Sequence, residues 1–424
     1  MPSPSPRSPL RVGLLGAGTV GAAVVRAFLD APELLAPFDG AQLVLAGVAV
    51  RDTGKAVAAG IPEALLTDAP AHLVASPEVD LIVELMGGDE PARTLIAAAL
   101  AAGKPVVTAN KHVIAQHGPA LEALARSTGT PLRFEAAVAA GIPILGPLGA
   151  DLAANRVEHV RGIVNGTTNF ILTAMAERKR AYGAVLLDAQ RAGYAEADPA
   201  GDVEGDDARN KLVILARLAF GQWLAPESIE RRPATVDGLG RPGITGVTAE
   251  EVAAAAAHGL RIKLIVDGRR AAGDAGRGIE AWVQPVAVPA DSGLGRTGGV
   301  TNRIELDAQP IGRLELSGPG AGGGPTSSAV LSDLIAIARG GGSTWAGLPP
   351  AAERATEASG PDDALDRRWF FQSVLPEQLI RDQLDLEAAV ADGFITIAQS
   401  LEQVRAGLGA LGIQATLYPI EEAA

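Results

Sequence analysis

Over the first third of the chain, short apolar runs alternate with longer stretches whose apolar positions recur every three to four residues. Residues 10–15, 43–50, 79–85, 104–108 and 131–137 read as short buried strands. Residues 22–29, 91–102 and a segment starting at about Lys111 read as helices. Pro91 suits the first turn of its helix, where a missing N–H costs nothing. Strands alternating with amphipathic helices predict βαβ units and a parallel sheet.

After about Pro143 the pattern changes. Helical periodicity dominates residues 170–177, 184–192 and 206–220, and residues 251–258 form an Ala-rich helical run. Strand-like runs return at 260–266, 279–288, 303–306 and 314–317, which predicts a second domain with a mixed sheet. A glycine-rich loop from Gly318 to Thr326 leads into a helix at 327–339. Residues 340–363 have the Gly, Pro and Ala content of a linker. The tail from about Arg367 carries strand signals at 369–374, 394–398 and 414–418, with a helix at 401–411. There is no internal repeat.

The 424 residues hold 36 Lys and Arg against 49 Asp and Glu, a net charge of −13. That balance opposes nonspecific binding to nucleic acid or an anionic membrane, though it leaves room for a local phosphate pocket. Aromatics are 4%, so aliphatic side chains must do most of the packing. Cysteine is absent, which removes disulfides, thiolate metal sites, iron–sulfur clusters and cysteine nucleophiles, and fits a reducing compartment. The five histidines show neither HxH nor HExxH spacing, so zinc is not expected. The first nine residues lack the apolar core of a signal peptide, and no run of about 20 apolar residues marks a membrane span. A cytoplasmic protein with no membrane or nucleic-acid partner is the expectation.

Four segments carry chemistry. Gly16-Ala17-Gly18-Thr19-Val20-Gly21 joins the first predicted strand to the first predicted helix. In a dinucleotide-binding turn, Gly16 permits the tight bend, Gly18 lets a pyrophosphate approach the backbone, and Gly21 lets the helix pack on the strand. An ordinary βα turn is the plainer alternative, and the surrounding βαβ context weighs against it. Arg51, then Asp52, follow the second strand. An arginine there accommodates the 2′-phosphate of NADP and an acid binds the ribose of NAD, so Arg51 points to NADP, with NAD as the alternative through Asp52. Arg51 is otherwise a solvated surface charge.

The second segment is an acid run, Glu196, Asp198, Asp202, Glu204, Asp206 and Asp207, broken into turns by Pro199, Gly201 and Gly205. Lys211 follows Asp207 at i+4, on one helical face, just ahead of apolar residues 212–216. A lysine entering a buried helix beside acids is a candidate proton donor, and a plain i,i+4 ion pair fits the spacing equally well. Thirdly, Thr108-Ala109-Asn110-Lys111 ends a strand at the sheet edge where ligands bind. There Lys111 meets an anionic substrate group, the nicotinamide region or water. Lastly, Glu135 precedes a loop of small residues running to Pro143. If their carbonyls turn inward, they make an oxygen site for a hard cation.

In this order the segments resemble homoserine dehydrogenases. The carriers are VGLLGAGTVG (12–21), GKPVVTANK (103–111), FEAAVAAGIPI (134–144), GIVNGTTNFIL (162–172), GYAEADPAGDVEGDDARNKLVILA (193–216), GIT (243–245) with RIKLI (261–265), and GPGAGGGPTSSAVLSDL (318–334), covering roughly residues 10–340. The resemblance implies reversible NADPH- or NADH-dependent reduction of L-aspartate 4-semialdehyde to L-homoserine, on the route to threonine, methionine and isoleucine. It implies that Lys211 is the catalytic lysine, assisted by Asp207. Glu196, Asp202 and Asp207 would hold the substrate, with Lys111 near substrate and nicotinamide. Gly16, Gly18, Thr19, Val20, Gly21, Arg51, Lys104, Gly193, Gly320 and Gly322 fall on cofactor-binding positions. Glu135, with the backbones of Val138, Ala140 and Ile142, matches a monovalent-cation loop usually assigned to sodium. The small-molecule substrate site and the dimer contact would lie in the middle region, in a homodimer or homotetramer.

The implied fold is α/β: a Rossmann-type doubly wound parallel sheet, an α+β catalytic and dimerisation domain, and a small C-terminal ACT-like α+β unit. The expected division is 1–145, 146–317, a return loop and helix at 318–340, a linker at 341–366 and the ACT-like unit at 367–424. That last unit departs from the family, because Leu375-Pro376-Glu377 and an acidic run stand where a Gly-Val-Leu stretch usually opens the first ACT helix. Aspartate-semialdehyde dehydrogenase is excluded, since it needs a cysteine nucleophile. A fused kinase is not expected ahead of the glycine turn. The rival from another class is a catalytically inactive dinucleotide-binding sensor, which predicts loss of Lys211 or the acid run.

Overall fold

A computed structural model of the chain describes residues 8–36, 39–233, 241–271 and 278–421. The chain divides into two compact units, Met1–Arg156 with Val213–Ala225 and Pro319–Thr356, and Val157–Leu212 with Pro226–Gly318 and Glu357–Ala424. The division falls inside the Asp206–Phe220 helix, after Leu212.

The first unit is built on β1 (Leu10–Leu15), β2 (Leu43–Ala49), β3 (Leu66–Thr67), β4 (Leu81–Glu84), β5 (Val106–Thr108) and β6 (Leu132–Arg133). Their spatial order is β3-β2-β1-β4-β5-β6 and every pairing is parallel, the doubly wound arrangement of a Rossmann sheet. Continuous apolar strands suit a sheet covered on both faces. Val12, Leu14, Val48, Leu81 and Val83 pack against Val24, Val25 and Phe28 of the Thr19–Asp30 helix and Val330, Leu334 and Ile337 of the Gly323–Ala338 helix. β3 is only two residues long, too short to stand out in the apolar pattern. The strand expected through residue 137 stops at Arg133. There the next backbone N–H groups leave the ladder, Phe134 donating to Thr344 Oγ1 (3.1 Å) and Glu135 to Asp333 Oδ2 (2.8 Å).

The second unit carries β7 (Arg156–Ile163), β8 (Glu230–Arg231), β9 (Leu260–Arg270), β10 (Ile279–Pro289), β11 (Thr301–Gln309) and β12 (Gly312–Pro319) in the order β12-β11-β7-β9-β10-β8. The sheet is mixed, with β9 antiparallel to both β7 and β10 and β8 parallel to β10. The helix Gly166–Arg178 packs on β9 and on the helix Ala249–Ala257.

The same unit ends in β13 (Trp369–Gln372), a one-turn helix Glu377–Arg381, β14 (Leu386–Val390), β15 (Gly393–Thr396), a helix Leu401–Ala410 and β16 (Tyr418–Pro419). This βαββαβ chain makes an antiparallel sheet in the order β14-β15-β13-β16 around Trp369, Phe371, Phe394, Val404 and Leu408. The departure seen at residues 375–377 shows as a first helix of five residues, capped by Pro376. β14 escaped the sequence pattern because none of its five residues is buried. Tyr418 Oη donates to Glu251 Oε2 (3.0 Å) on the Ala249–Ala257 helix, and Ile420 pairs with Ala287 of β10.

Candidate active site

The six acids of the run separate by partner. Asp198 Oδ1 accepts from Ala200 N (3.1 Å), just ahead of a single helical turn whose N-cap is Pro199. Glu204 pairs with Arg241 (3.2 Å), and Asp206 pairs with Arg209 and Arg231 (both 2.8 Å). Asp202 and Asp207 instead converge on one amide. Asn165 Nδ2 donates to Asp202 Oδ1 (2.7 Å) and to Asp207 Oδ2 (2.8 Å), while its Oδ1 accepts from Thr168 N (2.9 Å) and caps the Gly166–Arg178 helix. Lys211 Nζ donates to Asp207 Oδ2 (2.7 Å) and to Val164 O (2.7 Å). Lys211 is 8% exposed and Asn165 4%.

Burial, and then the neighbouring Asp207, push the Asp202 carboxyl above the usual range, while the Asn165 amide and Lys211 oppose that rise. Two partly buried acids beside one lysine suit a cationic ligand group. Glu196 is exposed, and no hydrogen bond or ion pair joins its carboxylate to the described residues. Only its backbone is held, by Gln190 Nε2 (3.0 Å). Gly193 is likewise exposed, in a left-handed turn at φ +76°. Thr167 Oγ1 donates to Tyr194 O (2.6 Å), which ties this loop to the helix bearing Asn165. Asn165 was missed as a site residue. The signal was an Asn-Gly pair between a strand and a helix, an N-cap whose side chain can also reach outward. A cavity of about 510 Å³ nearby, lined by Tyr182, Asp198, Glu204 and Arg241, contains none of the expected site residues.

In the first unit the glycine turn has the expected strand–turn–helix setting. Gly16 adopts φ +93°, and a Cβ on it would meet Leu85 O at 2.8 Å. A Cβ on Gly21 would meet Gly16 O at 2.1 Å, whereas one on Gly18 would meet nothing within 4 Å. Gly18 is the N-cap of the Thr19–Asp30 helix and supplies no side-chain cap. Gly18 and Thr19 are exposed, so the first-turn N–H groups face open space. Gly322, at φ +110°, is the N-cap of the Gly323–Ala338 helix, and a Cβ on Gly323 would lie 3.2 Å from Thr19 O and 3.8 Å from the Ala23 side chain. Two uncapped helix N-termini thus lie side by side, next to Gly320.

Arg51 is exposed just beyond β2, and Asp52 Oδ1 is engaged in capping the Thr53–Ala58 helix through Lys55 N (2.9 Å). Lys104 Nζ donates to Val74 O and Ser76 O (both 2.6 Å). Lys111 opens the Lys111–Thr128 helix behind the N-cap Asn110. At the same sheet edge Glu84 is fully buried, its carboxylate accepting from Thr108 Oγ1 (2.7 Å) and Met86 N (2.7 Å).

Glu135 accepts from the backbone N–H groups of Ile144, Leu145 and Gly146 (2.8, 2.9 and 2.6 Å). Burial, and then Asp333, raise its carboxyl pKa. Ala139 and Ala140 take positive φ values of 51° and 27°, which re-aim this loop's peptide groups. Val138, Ala140 and Ile142 are buried, and no described residue donates to their carbonyl oxygens. The same oxygens would fit a hard cation.

The homoserine dehydrogenase family model matches residues 143–335, and the model of that family's NAD-binding domain matches residues 16–135. A homoserine dehydrogenase of Mycobacterium tuberculosis is 44% identical over 337 residues, covering 79% of this chain and 74% of that one. The chain belongs to the homoserine dehydrogenase family. A crystal structure of a homoserine dehydrogenase from Thiobacillus denitrificans superposes with a TM-score of 0.84 at 34% identity, covering 98% of this chain and 99% of that one. A hyperthermophilic archaeal homoserine dehydrogenase in complex with NADPH superposes with a TM-score of 0.63 at 26% identity, covering 77% and 97%. As a homoserine dehydrogenase the protein is an oxidoreductase with a nucleotide cofactor and a small-molecule substrate. Among the described residues no helix is long and apolar enough to cross a membrane.

Proposed function

We propose that Lys211 is the proton donor and acceptor in the interconversion of L-aspartate 4-semialdehyde and L-homoserine. Hydride addition to the aldehyde carbon builds negative charge on its oxygen. A positioned ammonium stabilises that charge and delivers the proton. Asp207 orients the Lys211 ammonium from one turn away, and Val164 O takes a second N–H. Asp202 and Asp207 hold the α-ammonium of the substrate. Glu196, unpaired and on the same loop, is assigned to that ammonium as well, and Lys111 to the anionic end of the substrate.

The cofactor we assign is NADP, with NAD as the alternative. When bound, the dinucleotide supplies the hydride. Gly18, Thr19, Val20, Gly320 and Gly322 would hold its pyrophosphate through open backbone and two helix N-termini, with Gly16 and Gly21 shaping the turn. Arg51 would meet the 2′-phosphate, and the capping duty of Asp52 favours that choice over a ribose contact. Glu135 and the carbonyls of Val138, Ala140 and Ile142 would hold a monovalent cation, sodium by the family resemblance. The reading carries a homodimer or homotetramer and a cytoplasmic location, the latter consistent with a chain that has no cysteine.

The observation that carries the proposal is the hydrogen-bonded Lys211–Asp207–Asn165–Asp202 cluster, with Lys211 and Asn165 buried. Following NADPH and NADH absorbance with aspartate semialdehyde tests it. Turnover that is faster with NADPH and collapses in Lys211→Ala supports it. Dinucleotide binding without turnover would mark an inactive sensor instead.

A further inference from the structure

Lys263 lies on β9 and is 3% exposed. Its Nζ donates to Asn169 Oδ1 (2.8 Å), Thr297 O (2.7 Å) and Thr173 Oγ1 (3.2 Å). All three partners are neutral. A buried ammonium without a carboxylate partner is costly, and a hydrophobic residue of similar volume would fill the space more cheaply. The position of its three bonds shows what the lysine does there. Asn169 and Thr173 stand one turn apart on the Gly166–Arg178 helix, and Thr297 begins the loop ahead of β11.

That loop runs along the helix. Asn169 Nδ2 donates to Thr301 O (3.0 Å), and Gly166 approaches Val300 so closely that a Cβ on it would lie 2.9 Å from Val300 O. The N-cap of the same helix is Asn165, whose amide holds both Asp202 and Asp207. Asn169 is one turn further along, so a shift of the helix against the loop is a shift of Asn165.

We propose that Lys263 is a positioning residue for the dehydrogenase reaction, pinning the Gly166–Arg178 helix to the Thr297–Thr301 loop and thereby fixing where Asn165 places Asp202 and Asp207. The inference rests on the reading of those two acids as the holders of the substrate ammonium. Burial holds the Lys263 amine down to about 8. The charged groups it feels are Arg261 on its own strand, which lowers it further, and Glu177 near the end of the helix, which opposes this. Asn169 Oδ1 and Thr297 O can only accept, whereas the Thr173 hydroxyl can reverse and donate. The pin therefore survives deprotonation, with two N–H groups donated and the amine lone pair accepting from Thr173.

Steady-state oxidation of L-homoserine at saturating NADP tests this in Lys263→Met, Asn169→Ala, the double variant and Asp207→Asn. Both single variants are expected to raise KM for homoserine and to lower kcat/KM on the order of 10- to 100-fold, as displaced binding groups do. KM for NADP should stay unchanged. The double variant should fall short of the sum of the two single effects, because both substitutions cut the shared Lys263–Asn169 contact while Asn169→Ala also loses Thr301 O. Folded single variants with an unchanged homoserine KM would overturn the inference. So would additive effects, or KM values for both ligands rising together. Should Lys263→Met fail to fold, Asn169→Ala and Thr173→Val decide by the same criteria. Asp207→Asn separates the two levels: no effect there removes the acid-site reading itself, while a raised KM there beside a normal Lys263→Met removes only the role of Lys263.

Discussion

Lys211 Nζ stands 2.7 Å from Asp207 Oδ2, one turn along the Asp206–Phe220 helix, at a point where the lysine side chain is 11% exposed. A plain surface pair at this spacing contributes little. Here Asp207 Oδ2 also accepts from Asn165, so the ammonium is held by a carboxylate whose own position is fixed. Replacing Lys211 with Ala should lower kcat by roughly 10²–10⁴, the contribution of one positioned general acid, with dinucleotide affinity retained. Rapid-mixing kinetics and a fluorescence titration with NADPH check both halves. Near-normal turnover would remove Lys211 from the chemistry.

Asn165 serves two purposes with one side chain, and its replacement should separate them. Asn165→Ala removes an N-cap, which costs about 1 kcal/mol of stability. It also removes the amide that lowers the Asp202 pKa against burial. The carboxyl should therefore hold its proton to higher pH. If the charged form binds the substrate ammonium, the acidic limb of kcat/KM for homoserine moves upward in pH. An unshifted limb in a folded variant would show that Asp202 does not hold the substrate as a carboxylate.

The glycine turn and the Asp207–Lys211 spacing were legible because each is a local pattern with one geometric outcome. Gly16 and Gly21 each stand where a Cβ would strike backbone. From residue types alone the acid run was not resolvable into roles, and only the family resemblance singled out Glu196, Asp202 and Asp207. Asp202 and Glu204 look alike in sequence, and only the fold brings Asn165 to the first and Arg241 to the second. Lys263 was invisible for the same reason. A lysine inside an apolar strand carries no mark of the three acceptors that reach it from a distant helix and loop.

The two glycines of the turn should fail in different ways. Gly18→Ala meets no protein atom, so the variant should fold with an unchanged Tm and lose dinucleotide affinity, since its methyl group lies where the pyrophosphate approaches. Gly21→Ala drives a Cβ against the Gly16 carbonyl at 2.1 Å. Overpacking of that kind costs on the order of 1–3 kcal/mol or more and should lower Tm. Calorimetry with and without NADPH reads both effects. Equal loss of Tm in the two variants would argue against an open turn.

Lys104 gives a choice between two roles. Its Nζ already donates to Val74 O and Ser76 O, and burial lowers its pKa ahead of a smaller opposing pull from Asp80. If tethering is its purpose, Lys104→Met should cost about 1 kcal/mol through the lost hydrogen bonds and leave KM for NADPH unchanged. If it also meets the cofactor, as the resemblance implies, that KM rises alongside the same loss of stability.

Lys263 should leave a signature in the pH dependence of stability. Its amine titrates at about 8 in the folded chain and at 10.5 when unfolded. Between these values the unfolded chain binds more protons, so stability rises with pH across the window. Below pH 8 the fold bears the whole cost of the buried charge, and above 10.5 none of it. The difference in unfolding free energy between the parent protein and Lys263→Met should therefore shift in favour of the parent by about 3 kcal/mol between pH 8 and 10.5, as a displacement of this size implies. The Met variant leaves Asn169 Oδ1 and Thr297 O unpaired at every pH, so that loss cancels in the comparison. Urea unfolding at pH 7.5, 9 and 10.5 measures it. A difference that stays flat would mean that Lys263 keeps its proton throughout, held by a charge partner that the geometry does not contain.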